Sequence, residues 1–233
     1  MGVKYIDVKN DILKKIQTGE YKEGHLIPSE IELAKNYGVS RPTIRQAIGL
    51  LVEDNLLERK KRRGTIVSLR KVEQAFTQAI DSFDSQIHAK GCTSKTHVIS
   101  FQKEVANKEV KNILNSETVY KLVRLRYIDD LPNVYVTTYI SCNIFPNLEK
   151  YDFAQTSFYS ICELYGHKVT TVERELEITT SDATLSDLLQ IEPESPLFYF
   201  KSKGFDQNGI PVEYSISKYR SDTSKFVFTL KSE

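Results

Sequence analysis

The chain has 233 residues, 40% of them hydrophobic and 27% charged, which leaves room for two domains with real cores and excludes a disordered or fibrous chain. Its net charge of +1 conceals a division. Residues 1–70 hold 14 Lys+Arg against 9 Asp+Glu, whereas the remainder holds 18 against 22, so a basic head precedes a mildly acidic body. Such asymmetry points the head toward an anionic partner, most often nucleic acid. Cys92, Cys142 and Cys162 are far apart and form no CxxC pair, which argues against a zinc site or a disulfide framework. The charged, amphipathic N-terminus is unlike a signal peptide and no apolar run approaches a membrane span, so a cytoplasmic protein is expected.

In the head, Val8, Ile12, Leu13 and Ile16 form a one-sided apolar stripe that predicts a first helix, closed by Gly19 and Gly24. The stretch PSEIELAKNYG predicts a second, with Ser29 and Glu32 spaced as a capping box and Ile31, Leu33, Ala34 and Tyr37 on its buried side. Gly38 permits the turn that follows. Ser40 then caps a third helix whose Ile44, Ala47, Ile48 and Leu51 face inward, while Arg41, Pro42, Arg45, Gln46 and Gly49 occupy the opposite arc. Cations near a helix N-terminus oppose the helix dipole. No Asp or Glu lies within four residues of Arg41 or Arg45 on that helix, so an anion outside the chain would explain them. Two helices joined by a tight turn are the helix-turn-helix pattern. Leu56–Arg59 and Thr65–Ser68 are expected to pair around a tip of Lys60, Lys61, Arg62, Arg63 and Gly64. Long cations on that tip suit phosphates or a minor groove, the alternative being a solvated turn that protects an edge.

Residues 4–68 resemble the winged helix-turn-helix of GntR-family bacterial transcription regulators, carried by IPSEIELAKNYGVSRPTIRQAI and the wing ending RGTIV. By position, the resemblance implies that Arg41 and Arg45 contact bases and phosphates, that Thr43 contacts a phosphate, and that Lys61, Arg62, Arg63 and Gly64 bring the wing to the minor groove. Ser29 and Glu30 fall where the family's second helix meets the DNA backbone, with Glu30 alternatively orienting an arginine. Arg62 replaces a second wing glycine usual in the family.

Beyond a short charged linker, 69–75, THVISFQ, VYKLVRLRYI, NVYVTTYI, KVTTVERELEI, PLFYFKSKGF and PVEYSISKYR read as strands by their β-branched and aromatic content. Asn208-Gly209 signals a hairpin between the last two. Helices are expected at Asp81–Ala89, Lys108–Leu114, Phe158–Leu164 and Asp182–Leu189, with Ser157 and Ser181 as caps of the last two. The fold class is α+β with a mainly antiparallel sheet. Arg124 and Arg126 alternate on one strand and share a face, where paired guanidiniums can grip a phosphate or carboxylate or simply lie exposed on an open sheet.

The body, 76–233, resembles the UTRA effector-binding domain of the HutC subfamily, which has a chorismate-lyase-like fold; RLRYIDDLPNVYVTTYIS, SFYSICELYGHKVTTVERELEI and NGIPVEYSISKYRSD carry the likeness. The resemblance implies a domain order of 1–68 for DNA, 69–75 as linker and 76–233 for the effector. It places Phe76, Thr77, Ser157 and Tyr159 with Arg124 and Arg126 around an anion pocket, and Glu213 and Tyr219 on its far side. Glu213 could also be an ordinary surface strand residue. Val136 stands where many relatives carry a glutamate, so an amino-sugar phosphate is not implied. The expected function is a ligand-responsive repressor, a homodimer on a pseudo-palindromic double-stranded operator, released by a small anionic effector such as a phosphorylated sugar. No cofactor, metal or membrane partner is expected. The alternatives are an enzyme on the chorismate-lyase-like body, or a DNA-binding protein with a vestigial sensor. His25, His88, His97 and His167 lack an evident catalytic partner, and no nucleotide, nucleophile-elbow or metal motif appears.

Overall fold

The computed structural model describes residues 4–54, 56–61, 63–68, 71–74 and 83–229. The chain divides into two compact units, Met1–Lys71 and Val72–Glu233.

In the first unit, helices α1 (Tyr5–Gln17), α2 (Glu30–Tyr37) and α3 (Arg41–Glu53) precede a hairpin of β1 (Leu57–Lys60) and β2 (Gly64–Val67). Val8, Ile12, Leu33, Ile44, Ala47, Ile48 and Leu51 bury their side chains in one cluster, closed below by Leu57 and Val67 from the hairpin. Each such burial contributes roughly 1.5–3 kcal/mol, enough for a small core to hold three short helices. The capping box of α2 is formed: Ser29 Oγ accepts from Glu32 N, and Glu32 Oε2 accepts from Ser29 N at 2.8 Å. Gly38 ends α2 at φ 64°, a left-handed conformation that costs glycine little. Ile31 departs from expectation. It is 62% exposed, because it falls on the first turn of α2, away from the Leu33 side that meets α1 and α3.

In the second unit, six antiparallel strands form one sheet in the order β4-β5-β6-β9-β8-β7. They are β4 (Ser94–Val105), β5 (Thr118–Ile128), β6 (Leu131–Ser141), β7 (Val169–Thr180), β8 (Pro196–Asp206) and β9 (Pro211–Arg220). A two-residue turn joins β5 to β6, with Asp129 and Asp130 both at positive φ as the twist of a tight hairpin requires. At the β8–β9 turn only Gly209 takes positive φ; the Asp206 carboxylate accepts from the amides of Asn208 and Ile210 instead. Helices α4 (Phe83–His88), α5 (Lys108–Leu114), α6 (Phe158–Leu164) and α7 (Ala183–Leu189) flank the sheet. Asp182, not Ser181, caps α7, accepting from Leu185 N at 2.8 Å; Ser181 Oγ accepts from Ser195 N and ties the α7–β8 loop.

The segment read as a linker is partly structured. Val72–Glu73 form β3, which pairs in parallel with β10 (Ser224–Lys225). Beside that pair, buried Asn133 donates to the hydroxyls of Thr223 and Ser224.

The two sheet faces differ. On one, Leu125 packs with Leu185, Leu189 and Leu197, and Val119 and Tyr214 pack with Val110 and Leu114. On the other, two apolar clusters stand apart, one around Tyr120, Leu122, Ile140 and Phe158 and one around Val134, Val136, Phe200 and Tyr219. Polar residues occupy the ground between them.

Candidate DNA interface and effector cavity

In the head, Ser40 caps α3 and its Oγ lies 2.8 Å from Thr43 Oγ1. This hydroxyl pair is half open to solvent at the start of the helix. Arg41 is exposed and makes no hydrogen bond or ion pair among the described residues. Arg45 has no acidic partner within its own helix, and the alternative in which Glu30 orients an arginine is the arrangement found. Its Nε and one terminal nitrogen donate to Glu30 of α2 at 3.3 and 3.0 Å, a pairing that crosses between helices and escapes any intrahelical search. The Arg45 hydrogen bond holds the Glu30 carboxyl below its usual range against the opposing effect of burial, and the charges of Arg45, Arg59 and Arg41 add to it. Arg59 of β1 lies 3.9 Å from Glu30 and donates to the backbone oxygen of Arg45 at 3.5 Å, so α2, α3 and the hairpin meet at one carboxylate. Arg45 nevertheless keeps 60% of its side chain exposed. A guanidinium held by one edge and open on the other can still offer donors to a base or phosphate.

The hairpin tip exposes Lys61, Arg63 and Gly64. Gly64 sits at φ 115°, and a Cβ there would lie 3.1 Å from Leu26. Arg62 lies outside the described residues. Expected strand limits shift by one residue, to Leu57–Lys60 and Gly64–Val67.

In the second unit, a cavity of about 90 Å³ opens on the polar ground between the two apolar clusters. A water needs roughly 10–15 Å³ on this measure, so the space suits a small polar ligand or the head of a larger one. Arg124, Arg126, Ser157, Tyr159, Glu213 and Tyr219, all singled out in the sequence, line it together. Phe76 and Thr77 lie outside the described residues.

Arg124 is 4% exposed, which excludes the open-sheet alternative. Its guanidinium donates to Thr138 Oγ1 at 3.0 Å, while its Nε, like that of Arg126, is buried with no hydrogen-bond partner among the described residues. The Arg126 guanidinium stacks over Phe83 at 4.9 Å. Burial holds Arg124 well below the usual guanidinium range, and the neighbouring charge of Arg126 adds to the effect; burial lowers Arg126 too. Glu213 is likewise buried rather than superficial. Its Oε1 accepts from Tyr159 Oη at 2.6 Å and its Oε2 from Ser215 Oγ at 3.0 Å. Burial, then the Glu213 charge, drive the Tyr159 phenol well above its usual range. Ser157 occupies the N-cap position of α6 but makes no capping bond, leaving its hydroxyl on the cavity wall.

Several lining residues were not singled out in the sequence: Thr138, Arg174, Ser202, Ser215 and Ser217. Ser215 and Ser217 share the parity of Glu213 and Tyr219 on β9, so alternation alone could have found them. Arg174 and Ser202 required the register, which sets Thr138, Ser215, Ser202 and Arg174 in one cross-strand row. His167, outside the cavity, bonds Asp206 at 2.7 Å through Nδ1 and fastens the α6–β7 loop to the β8–β9 turn.

Among the described residues no helix is long and apolar enough to cross a membrane, and no cluster of metal-ligating side chains occurs. The pattern of the bacterial regulatory proteins of the gntR family matches residues 4–67, and that of the UTRA domain matches 89–225. The HTH-type transcriptional repressor NagR of Bacillus subtilis is 31% identical over 96% of this chain and 93% of its own. The mannosyl-D-glycerate transport/metabolism system repressor MngR of Escherichia coli is 28% identical over 95% of this chain and 93% of its own. The crystal structure of PhnF from Mycobacterium smegmatis shares the fold, with a TM-score of 0.70 at 23% identity over 99% of this chain and 100% of that one. A DNA-reading head and an effector-binding body thus replace the enzyme alternative, and the chain belongs to the GntR family of bacterial transcription regulators, in its UTRA-bearing HutC subfamily.

Proposed function

We propose that the chain is a homodimeric cytoplasmic repressor that leaves a pseudo-palindromic operator when a small anionic metabolite, of the phosphorylated-sugar kind, enters the cavity of its body. In this reading residues 1–68 bind DNA, 69–75 connect, and 76–233 bind the effector. Arg41, Thr43 and Arg45 meet bases and phosphates, Ser29 the backbone, and Lys61, Arg62, Arg63 and Gly64 the minor groove; Glu30 acts through Arg45. Arg124 and Arg126 hold the anion with Ser157, Tyr159, Phe76 and Thr77, and Glu213 and Tyr219 face the rest of the ligand.

One observation carries the effector reading: two arginines of one strand face line the cavity with their Nε atoms buried and, among the described residues, unsatisfied. Buried donors without partners and buried like charges are costly, and an anionic ligand removes both costs at once. MngR, the repressor of a mannosyl-D-glycerate transport/metabolism system, supports an anionic sugar derivative. A ligand loosens the operator complex only by binding better to the form that holds DNA poorly. The test is operator binding, on a sequence selected from random DNA, titrated with a panel of sugar phosphates and sugar acids. If no member of either class changes operator affinity, the effector reading is wrong.

A further inference from the structure

The six-stranded sheet ends in two long edges, β4 and β7, of 12 residues each, and they are built differently. β4 is broken by a bulge between Val98 and Ser100 and carries Lys95 and Lys103. Bulges and lysines are the usual means by which an edge refuses another strand. β7 has neither lysine nor proline, and its register with β8 runs unbroken from Thr171 to Thr180. Its charges end at Glu177, and the closing residues Ile178, Thr179 and Thr180 carry none.

This uncharged end is also apolar toward solvent. Leu176 and Ile178 share one face of β7 and are 41% and 64% exposed. Across the pair with β8, Ile178 stands opposite half-buried Phe198, whose ring meets that of Phe226 edge-on at 5.0 Å. Phe228, two residues further along the chain, is exposed as well. A long unguarded edge bearing exposed apolar side chains is a template for a further strand.

The charges of β7 decide which strand and in what register. Antiparallel pairing of β7 with the same strand of a second copy is fixed by the residue at the two-fold axis, because residues directly opposite share a face. Centred on Leu176, such a pair sets Glu175 against the partner's Glu177 at two places. Centred on Glu175 or Glu177 it sets a glutamate against itself, and centred on Arg174 it sets Glu173 against the partner's Glu175. Like charges directly opposite are destabilising. Centred on Ile178, the pair sets Ile178 against the partner's Ile178, Leu176 against the partner's Thr180 and Glu177 against the partner's Thr179. No two glutamates then meet, and the exposed apolar side chains of both copies gather at the axis.

Resting on the homodimer reading above, we infer that the two bodies join through the last turn of this edge, β7 against β7 about a two-fold axis at Ile178. The contact is isologous, so it closes at two copies and leaves neither β7 end open to further strands. β7 also lends Arg174 to the cavity wall, so one strand belongs to both the interface and the effector site.

Sedimentation of the full chain as wild type, Ile178→Lys and Val105→Lys tests the assignment, with Val105 as an exposed position on the other edge. Ile178→Lys places two lysines face to face at the axis and is expected to raise the dimer dissociation constant by about tenfold or more. Its melting temperature at high dilution should match that of wild type, and Val105→Lys should dimerise as wild type does. Ile178→Cys supplies a second readout, because opposed residues of an antiparallel pair lie close enough for a disulfide across the axis. Mild oxidation should link its two copies, and should not link those of Val105→Cys. A wild-type dissociation constant in Ile178→Lys together with no cross-link at position 178, or dissociation by Val105→Lys instead, would overturn the β7 interface and leave the homodimer standing. A monomeric wild type, free and on operator, would overturn both.

Discussion

Gly204 stands directly across the β8–β9 pair from Glu213, and a Cβ at position 204 would lie 2.8 Å from Glu213 Cγ. The glycine thus makes the space in which the carboxylate lies against Tyr159 and Ser215. Gly204→Ala should displace Glu213, break the 2.6 Å bond to Tyr159 and cost roughly 1–3 kcal/mol of stability through overpacking. Operator binding without effector should persist, while the effector concentration needed for release rises. Denaturant melts and operator titrations of the variant check both halves.

Arg124 offers a sharper test of whether the ligand-free protein stores unfavourable electrostatics. Arg124→Met keeps much of the side-chain length and removes a buried guanidinium whose Nε has no partner among the described residues. The apoprotein is expected to be at least as stable as wild type, because burial and the like charge of Arg126 outweigh the attraction of Glu213 at Arg124. The same variant should bind operator normally and fail to release it with any anion. A destabilised apoprotein that still responds to sugar phosphates would contradict the account.

Glu30 and Arg45 yield a prediction about specificity rather than affinity. Arg45→Ala should cost about 1–3 kcal/mol on the selected operator. Glu30→Gln removes a negative charge near DNA and loosens the fork that it orients. Binding to random DNA should therefore rise while the preference for the operator falls. Competition measurements with both DNAs over a range of salt separate the two effects.

At the hairpin tip, Lys61→Ala and Arg63→Ala should weaken binding to operator and random DNA alike. The log–log salt slope should shrink by about one for each phosphate that the variant no longer neutralises. Wild-type slopes in both variants would show that the tip does not touch DNA.

The Asp206–His167 link bears on acid stability. Although burial opposes ionisation of Asp206, its bonds from His167 and from the amides of Ile210 and Asn208 hold the carboxyl below the usual range. A carboxyl depressed in the fold contributes stability that is complete above its unfolded pKa, about 3.9, and fades as pH falls through the lower folded value. Asp206→Asn should lower the melting temperature at neutral pH and flatten its decline below about pH 4. Melting curves from pH 7 to 3 for both proteins provide the measurement.

Much of this is legible in the sequence because it rests on local rules. Ser29 with Glu32, and Ser40 before Pro42, announce helix starts that the fold keeps. Strand alternation alone puts Arg124 and Arg126 on one face. What alternation does not give is which neighbour lies across the sheet. Arg174 and Ser202 belong to the cavity only through pairings of β7 with β8 and β8 with β9, and which arginine Glu30 orients is settled only by how α2 and α3 pack. Ser181 reads as a cap in the sequence because a serine and an aspartate stand side by side there, and in the fold the aspartate takes the helix terminus.

The unbroken register between the bulges after Arg126 and after Gly204 has a consequence for how such a cavity can change. The wall residues of β5, β6 and β9 are alternate ones, and β8 and β7 add Ser202 and Arg174, so one residue inserted or deleted in a strand would exchange its wall residues for those of the opposite face. Arg124 would trade places with Leu125, whose present neighbours are Leu185, Leu189 and Leu197. A new ligand is therefore reached by single substitutions within a fixed frame, or by changes in the segments that cover it. Length variation between homologous bodies should gather in the turns and helices and leave these strands at constant spacing.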